Sequence, residues 1–373
     1  MTAVRKTASG TNHKNEIVLH RIYIDTRYAS WFSGEMMERI RRNYLMLMAA
    51  LMPLVASSSG CTESGASTST GQVGQGEAGG AGGAGGGIDT SAWDCSAKSF
   101  PERKSPVPAN CATDPTCMQS QVSWHRGAGE MGIATFAPEE TLSALRAALE
   151  LGADMLGTID PRPTKDGVLI AMQDDTVNRI TQGQGNVADF TLAELQSLAL
   201  RTDAYSGDFS CERVTTYREI LQNAKGRIVV LSDLSSYGSA VGLVVADIQA
   251  ADAIDWVLFG AQTLENAKAA LALEPKLHVW INVESAADLD MKLTALAPVI
   301  PAFAILKMGS SAELDAVAKV AHDRGTRALT LVFTNDAIAK LTGDMTSYDA
   351  TWKTGVDAVI SNRVDFALHS LGR

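Results

Sequence analysis

The sequence predicts an α/β fold, a (β/α)8 TIM barrel with a small hairpin inserted after its second strand. Two observations carry that prediction. From about residue 120 onward, eight short apolar runs alternate with amphipathic helical patterns over roughly 250 residues, the usual size of such a barrel. Several of the runs are apolar throughout, as strands covered on both faces must be, so a closed ring wrapped by helices fits better than an open doubly wound sheet.

The first strand is expected at 122–125 and the second at 155–160, with a helix over 141–151 between them. Thr164-Lys165-Asp166-Gly167 then reads as a tight turn ahead of a short apolar run at 168–173, which makes the hairpin. Six further strands are expected at 227–233, 254–260, 277–283, 302–307, 328–334 and 358–361. Helical patterns at 239–251, 264–273, 286–296 and 312–324 supply crossovers between them.

The first quarter of the 373 residues does not read as part of that barrel. Met36 and Met37 precede Arg39, Arg41 and Arg42, an apolar run follows from Tyr44 to Ala56, and Ser58-Ser59-Gly60 lead into Cys61. A basic flank, a short apolar segment and small residues before a cut make residues 36–61 an export signal. The run is shorter than the roughly 20 residues a membrane span needs. A Cys directly behind small residues resembles a bacterial lipobox. That implies cleavage before Cys61, diacylation of its thiol, and a lipoprotein held at a membrane in the periplasm or at the cell surface. An ordinary secretory signal with an incidental Cys is the alternative. Residues 1–35 fit neither scheme and read as an upstream extension. Residues 62–92 are rich in Gly, Ser, Ala and Thr and cannot bury enough apolar surface to offset their ordering entropy, so they read as a flexible tether.

Four cysteines remain in addition to Cys61: Cys95, Cys111, Cys117 and Cys211. In an exported chain they suggest two disulfides, and the spacing does not choose among the three pairings. The separation of Cys111 from Cys117, with no His nearby, argues against zinc. The bridges are expected to pin the lead-in, residues 93–119, to the barrel at 120–373. A formal net charge of −10 and the lack of a Lys/Arg stripe exclude broad nucleic-acid binding.

In a parallel barrel, residues at the carboxyl ends of the strands face one shared mouth. His125, Asp160, Gln173, Asp233 and Lys307 all fall at or just past such ends. The surrounding motifs run in order: His125-Arg126-Gly127, Pro138-Glu139-Glu140-Thr141, Gly152-Ala153-Asp154, Thr164-Lys165-Asp166-Gly167, Gln173-Asp174-Asp175, and the closing Gly355-Val356-Asp357. This set resembles the glycerophosphodiester phosphodiesterase family, which carries HRG, PENT, GAD, an E-x-D pair, TKDG, a His-Asp, a later strand ending in E-x-K, and a final GVD. The resemblance implies a barrel enzyme in which two histidines move protons around a phosphodiester. It also implies that E-x-D and a later Glu hold a divalent cation, Ca²⁺ or Mg²⁺. Residue by residue, His125 matches the first histidine, Arg126 the phosphate-contacting arginine, Asp160 the Asp of E-x-D, and Asp233 the third metal carboxylate. Lys307 is a candidate for substrate binding.

Three positions depart from the family pattern. Thr158 stands two residues before Asp160, where the pattern has Glu; a different placement of a one-residue insertion makes Gly157 the counterpart. Gln173 replaces the second histidine, and an amide can hydrogen-bond but cannot shuttle a proton. Glu140 replaces the Asn of PENT. Asp174 or Asp175 could supply a carboxylate if the hairpin register shifts. His278 and Glu284 are weaker candidates, and His322 and His369 sit in helical or terminal positions unsuited to the role. The expectation is an exported, lipid-anchored hydrolase acting on a small phosphodiester or phospholipid headgroup, with ordinary activity weak or absent. The alternative is a barrel that binds a phosphodiester or other anion without turning it over.

Overall fold

The computed structural model describes residues 88–130, 136–234 and 240–373. The extension, the export signal with Cys61, and the tether as far as residue 87 lie outside the described residues. Among the described residues no helix is long and apolar enough to cross a membrane.

Eight parallel strands close into a barrel. They are β1 (Gln121–His125), β2 (Met155–Ile159), β5 (Val229–Asp233), β6 (Val257–Ala261), β7 (Val279–Asn282), β8 (Phe303–Leu306), β9 (Arg327–Leu331) and β10 (Ala358–Ser361). Each pairs with its predecessor in the ring, and β10 pairs with β1 to close it. The hairpin stands apart as β3 (Pro161–Pro163) and β4 (Leu169–Ala171), antiparallel, directly after β2. Crossover helices include α1 (Leu142–Glu150), α2 (Leu192–Ser197), α3 (Tyr217–Ala224), α4 (Val241–Ala250), α5 (Leu264–Leu273), α6 (Ala286–Leu296) and α7 (Ser311–Asp323), and α8 (Phe333–Thr342), α9 (Thr346–Trp352) and α10 (Val364–His369) complete the chain.

Alternate side chains of the strands fill two separate apolar layers. Met155, Val229, Leu231, Leu258, Trp280, Phe303, Ile305 and Ile360 pack inside the ring. Their sequence neighbours, such as Leu156, Val230, Phe259 and Ala304, pack outward against the helices. This explains why the strands read as continuous apolar runs. Trp280 lies across the interior with its indole N–H donating to the carbonyl of Ser232 at 3.0 Å. A Cβ on Gly260 would sit 2.4 Å from that indole and 2.3 Å from the Ser232 carbonyl, so the ring accommodates Trp280 only because residue 260 has no side chain.

Two expected strands end differently. The run 328–334 stops at Leu331, because Val332-Phe333-Thr334 turns into α8. There the carboxylate of Asp336 accepts from Ser361 Oγ, from the Asn362 N–H and from Tyr348, a tertiary anchor that outweighs the β-preference of Val and Phe. The run 254–260 begins as a 3₁₀ turn, closed by Trp256 N–H on Ala253, and pairs only from Val257, which lies opposite Val230. The short helices α2 and α3 escaped the periodicity reading, although each begins with a capping box, Thr191 with Glu194 and Thr216 with Glu219.

The lead-in takes part in the barrel core. Ala112 packs with the interior layer from below, at the amino ends of the strands. Arg327, at the start of β9, donates to the carbonyls of Cys111, Ala112 and Cys117 and stacks 4.2 Å above the Phe303 ring. Cys95 bridges to Cys211 and Cys111 to Cys117. Only the first bridge ties the lead-in to the barrel. The second closes a local loop, where both had been expected to pin the lead-in, because Cys111 and Cys117 sit in one turn under Arg327. The loop-closure argument scales with the enclosed length, 116 residues against 6. Replacing Cys95 and Cys211 by Ser should therefore cost about 2–5 kcal/mol, and the corresponding change at Cys111 and Cys117 clearly less. Urea unfolding of the two double variants measures the difference, and equal midpoints would contradict it.

Candidate active site

The carboxyl ends of the strands bring the predicted residues to one mouth. Across β1 and β2, His125 lies opposite Gly157. Across β2 and β5, Ile159 lies opposite Ser232, so Asp160 and Asp233 follow side by side, one residue further along each strand. The register of β2 shifts between Leu156 and Ile159, and Thr158 sits in that irregularity with φ at 44°. At residue 157 the backbone leaves no room for a side chain. A Cβ on Gly157 would lie 2.2 Å from Ser123 Oγ, whereas the Thr158 hydroxyl accepts the N–H of Arg126 at 3.3 Å.

His125 is held from two sides. Its Nδ1 lies 2.7 Å from Asn362 Oδ1, and its ring packs against Phe333 at 4.6 Å between centroids. The same Oδ1 accepts the backbone N–H of Glu130 at 2.9 Å. An atom that accepts from a backbone amide is the carboxamide oxygen, so Nδ1 carries the proton and Nε2 is left with its lone pair. Asn362 is itself fixed, because its backbone N–H donates to Asp336 at 2.7 Å. Burial first, and then the Arg126 charge, pull the His125 imidazole down to about 3, against the opposing bond to Asn362. The ring is neutral at physiological pH.

Arg126 has φ at 53° and is buried. Its guanidinium contacts Glu139 at 3.2 Å and Glu130 at 3.8 Å. Their charges hold it above its ordinary range although burial works the other way. Glu139 also takes two bonds from Arg179, at 2.6 and 2.8 Å, and Arg179 Nε reaches Asp174 at 2.6 Å. Arg162 of the hairpin is buried and binds Asp175 and the carbonyls of Met172 and Gln173. Both candidate replacement carboxylates, Asp174 and Asp175, are thus engaged in ion pairs with arginines.

The hairpin folds residue 173 back beside the end of β2, since Pro161 pairs with Ala171 and the Met172 N–H donates to the Asp160 carbonyl at 2.9 Å. Gln173 therefore sits at the mouth, half-buried. Asp233 accepts from Gln262, which in turn accepts from Asn282, forming an amide chain across the ends of β5, β6 and β7. Lys307 follows β8 at the same end. His278 precedes β7 and faces Asp255 at 3.6 Å, at the opposite end of the ring. His322 bonds to Asp357 at 2.9 Å on the outer helix α7, and Glu284 and His369 are exposed. These four are not brought to His125.

The model of the glycerophosphoryl diester phosphodiesterase family matches residues 125–366, about two thirds of the chain, and begins at His125. The chain belongs to that family. It is 38% identical over 105 residues to the glycerophosphodiester phosphodiesterase of Caldanaerobacter subterraneus subsp. tengcongensis, covering 28% of this chain and 40% of that protein. It is equally 38% identical over 122 residues to the Bacillus subtilis relative YhdW, covering 32% of this chain and 46% of YhdW. The matched stretches span less than half the length of these curated relatives. Among solved structures, a glycerophosphoryl diester phosphodiesterase from Parabacteroides distasonis superposes with a TM-score of 0.60 at 21% identity, over 73% of this chain and 93% of the other. An Oleispira antarctica phosphodiesterase, solved with the product sn-glycerol-3-phosphate, gives 0.55 at 20% identity over 69% and 99%. These likenesses to solved structures show the same barrel fold.

Compared with the family pattern, Asp233-Leu234-Ser235 also lacks the Lys of E-x-K; Ser235 lies outside the described residues. Asn362, Asp336 and Arg179 had no assigned role from the sequence. Asn362 comes directly after β10, the strand that follows the closing Gly355-Val356-Asp357, which was the available signal. A sharp pH signature follows from His125. Its folded value lies below the unfolded 6.5, so between about 3 and 6.5 the unfolded chain binds the proton and the native one does not. This contribution to stability is present above 6.5 and is lost as pH falls. Nitrogen-15 NMR of the histidine rings should show His125 as the neutral Nδ1–H tautomer, with no titration between pH 8 and 5. A midpoint near 6.5 for that ring would refute the assignment.

Proposed function

We propose that this protein hydrolyses glycerophosphodiesters or related phospholipid headgroups, and that it does so slowly. The observation that carries the reading is the His125 imidazole, buried, neutral and tied at Nδ1, with its Nε2 lone pair at the barrel mouth beside Arg126. In that role Nε2 takes a proton from an attacking water as its oxygen bonds to phosphorus and the bond to the leaving alkoxide breaks, and the imidazolium then returns that proton to solvent. The alkoxide must then be protonated. At the family's second histidine position Gln173 has no proton to give, so solvent supplies it and turnover falls. The ligand seen in the Oleispira relative supports a small glycerol phosphate ester as the occupant.

A divalent cation, when bound, supplies positive charge to the phosphoryl oxygens. Asp160 and Asp233, side by side at the ends of β2 and β5, are the residues that would hold it. Thr158 stands at the position of the missing Glu and offers only a hydroxyl. A second reading, a phosphodiester-binding barrel without turnover, is favoured by that loss together with Gln173. The full chain, assayed with glycerophosphocholine and Mg²⁺ or Ca²⁺, should show weak metal-dependent hydrolysis. His125→Ala should lower it by about 10²–10⁴-fold, and Gln173→His should raise it. Binding of glycerophosphocholine with no hydrolysis by the wild type would favour the second reading.

The export signal and Cys61 support placement of the barrel outside the cytoplasm on a lipid anchor, with the tether giving it reach. Expressed in a bacterium, the chain should fractionate with membranes, and Cys61→Ser should release it to the soluble fraction. Unchanged membrane association of the variant would remove the lipoprotein reading.

A further inference from the structure

Two of the departures from the family pattern cancel in charge. Glu140 adds a carboxylate where the pattern has Asn, and Thr158 removes one where it has Glu. The structure brings both positions to the backbone of the same residue, Arg126. Thr158 Oγ1 accepts the Arg126 N–H at 3.3 Å, and the Glu140 N–H donates to the Arg126 carbonyl at 2.9 Å. From there the Glu140 side chain reaches the end of β2, where its Oε1 accepts the backbone N–H of Asp160 at 3.2 Å. The residue is 2% exposed. Its Oε2 is buried and has no hydrogen-bond partner among the described residues. Leaving a buried carboxylate oxygen without a donor is costly, and the cost disappears when a cation fills the gap. The neighbouring Glu139 does not share this state, since Arg126 and Arg179 both donate to it.

We infer that the missing metal carboxylate has been relocated: Glu140 joins Asp160 in holding a divalent cation of the Mg²⁺ type, with Asp233 reached through water and the shell completed by water and by the phosphoryl oxygens of the substrate. The last ligand rests on the phosphodiesterase reading; the carboxylates do not. Among the described residues no three His, Cys, Asp or Glu side chains converge into a cage. Such a donor set falls short of the six to eight oxygens Ca²⁺ takes, but it suits Mg²⁺, which is commonly held by one or two carboxylates plus waters and substrate phosphate. Cation and phosphate ester should therefore strengthen each other's binding by the same factor.

The test uses Mn²⁺ as a spectroscopic substitute for Mg²⁺ on the full chain, with the electron paramagnetic resonance signal of free Mn²⁺ as the readout. The wild type should bind one Mn²⁺, displaced by Mg²⁺, and more tightly when sn-glycerol 3-phosphate is present. Glu140→Gln keeps an acceptor for the Asp160 N–H but removes the charge, so it should weaken Mn²⁺ binding about 10-fold or more. Adding Thr158→Glu to Glu140→Asn moves the carboxylate back to the family position and should restore binding, which a purely structural role for Glu140 does not predict. Circular dichroism confirms that each variant is folded. Unaltered Mn²⁺ affinity in folded Glu140→Gln, or no Mn²⁺ binding by the wild type, overturns the inference. Because binding is read without turnover, Glu140-dependent Mn²⁺ binding without hydrolysis would sink the phosphodiesterase reading alone. Hydrolysis with metal binding indifferent to Glu140 would sink only this one.

Discussion

Everything at the mouth depends on the pairing of β10 with β1. That pairing sets Gln121 against Ala358 and Trp124 against Ser361, so the chain segments on either side of the seam leave the ring together. His125 and Asn362, 237 positions apart in sequence, then lie within hydrogen-bonding distance. No local preference of either residue could bring this about. It follows from the geometric requirement that eight twisted strands close on themselves, and from the apolar interior layer that makes closure favourable.

On that frame the site is built as a relay of fixed orientations. Asp336 anchors Asn362, Asn362 orients His125, and Phe333 packs against the ring. Arg126, Glu140 and Thr158 all adopt left-handed backbone conformations that ordinary side chains rarely accept. Three such residues in contact at the mouth are best understood as strain tolerated for position, each at a cost of about 1–3 kcal/mol that the surrounding structure must offset. The electrostatics follow the same economy. Arginine charges are directed at Glu139, Asp174 and Asp175, while burial and then the Arg126 charge keep the imidazole neutral.

Much of this was legible in the sequence. The barrel was visible because strand and helix periodicities alternate regularly, and His125, Arg126 and Asp160 because a short motif at a strand end admits few other readings. What could not be read was long-range or conditional. Asn362 stood a strand's length past the closing Gly355-Val356-Asp357, but its partner was not visible, since only the ring joins the two. Asp174 and Asp175 looked available until Arg179 and Arg162 were seen to bind them. That residue 157 has no room for a side chain depended on close backbone packing at an irregularity in β2, which a linear pattern does not display. Glu140 read as a liability near a phosphate, and only the contact with Asp160 changed its meaning.

The plug formed by Ala112 beneath the barrel has a bearing on where this protein begins as a folding unit. The family-defining stretch opens at His125, yet the interior layer it needs is finished by a residue thirteen positions earlier, clasped from above by Arg327. A piece cut at the first strand would present an open drain at its base, with a guanidinium stranded beside it where burial already pulls it down to about 10. The segment upstream of the recognisable family stretch is thus a stopper, and any autonomous version of the barrel has to carry it.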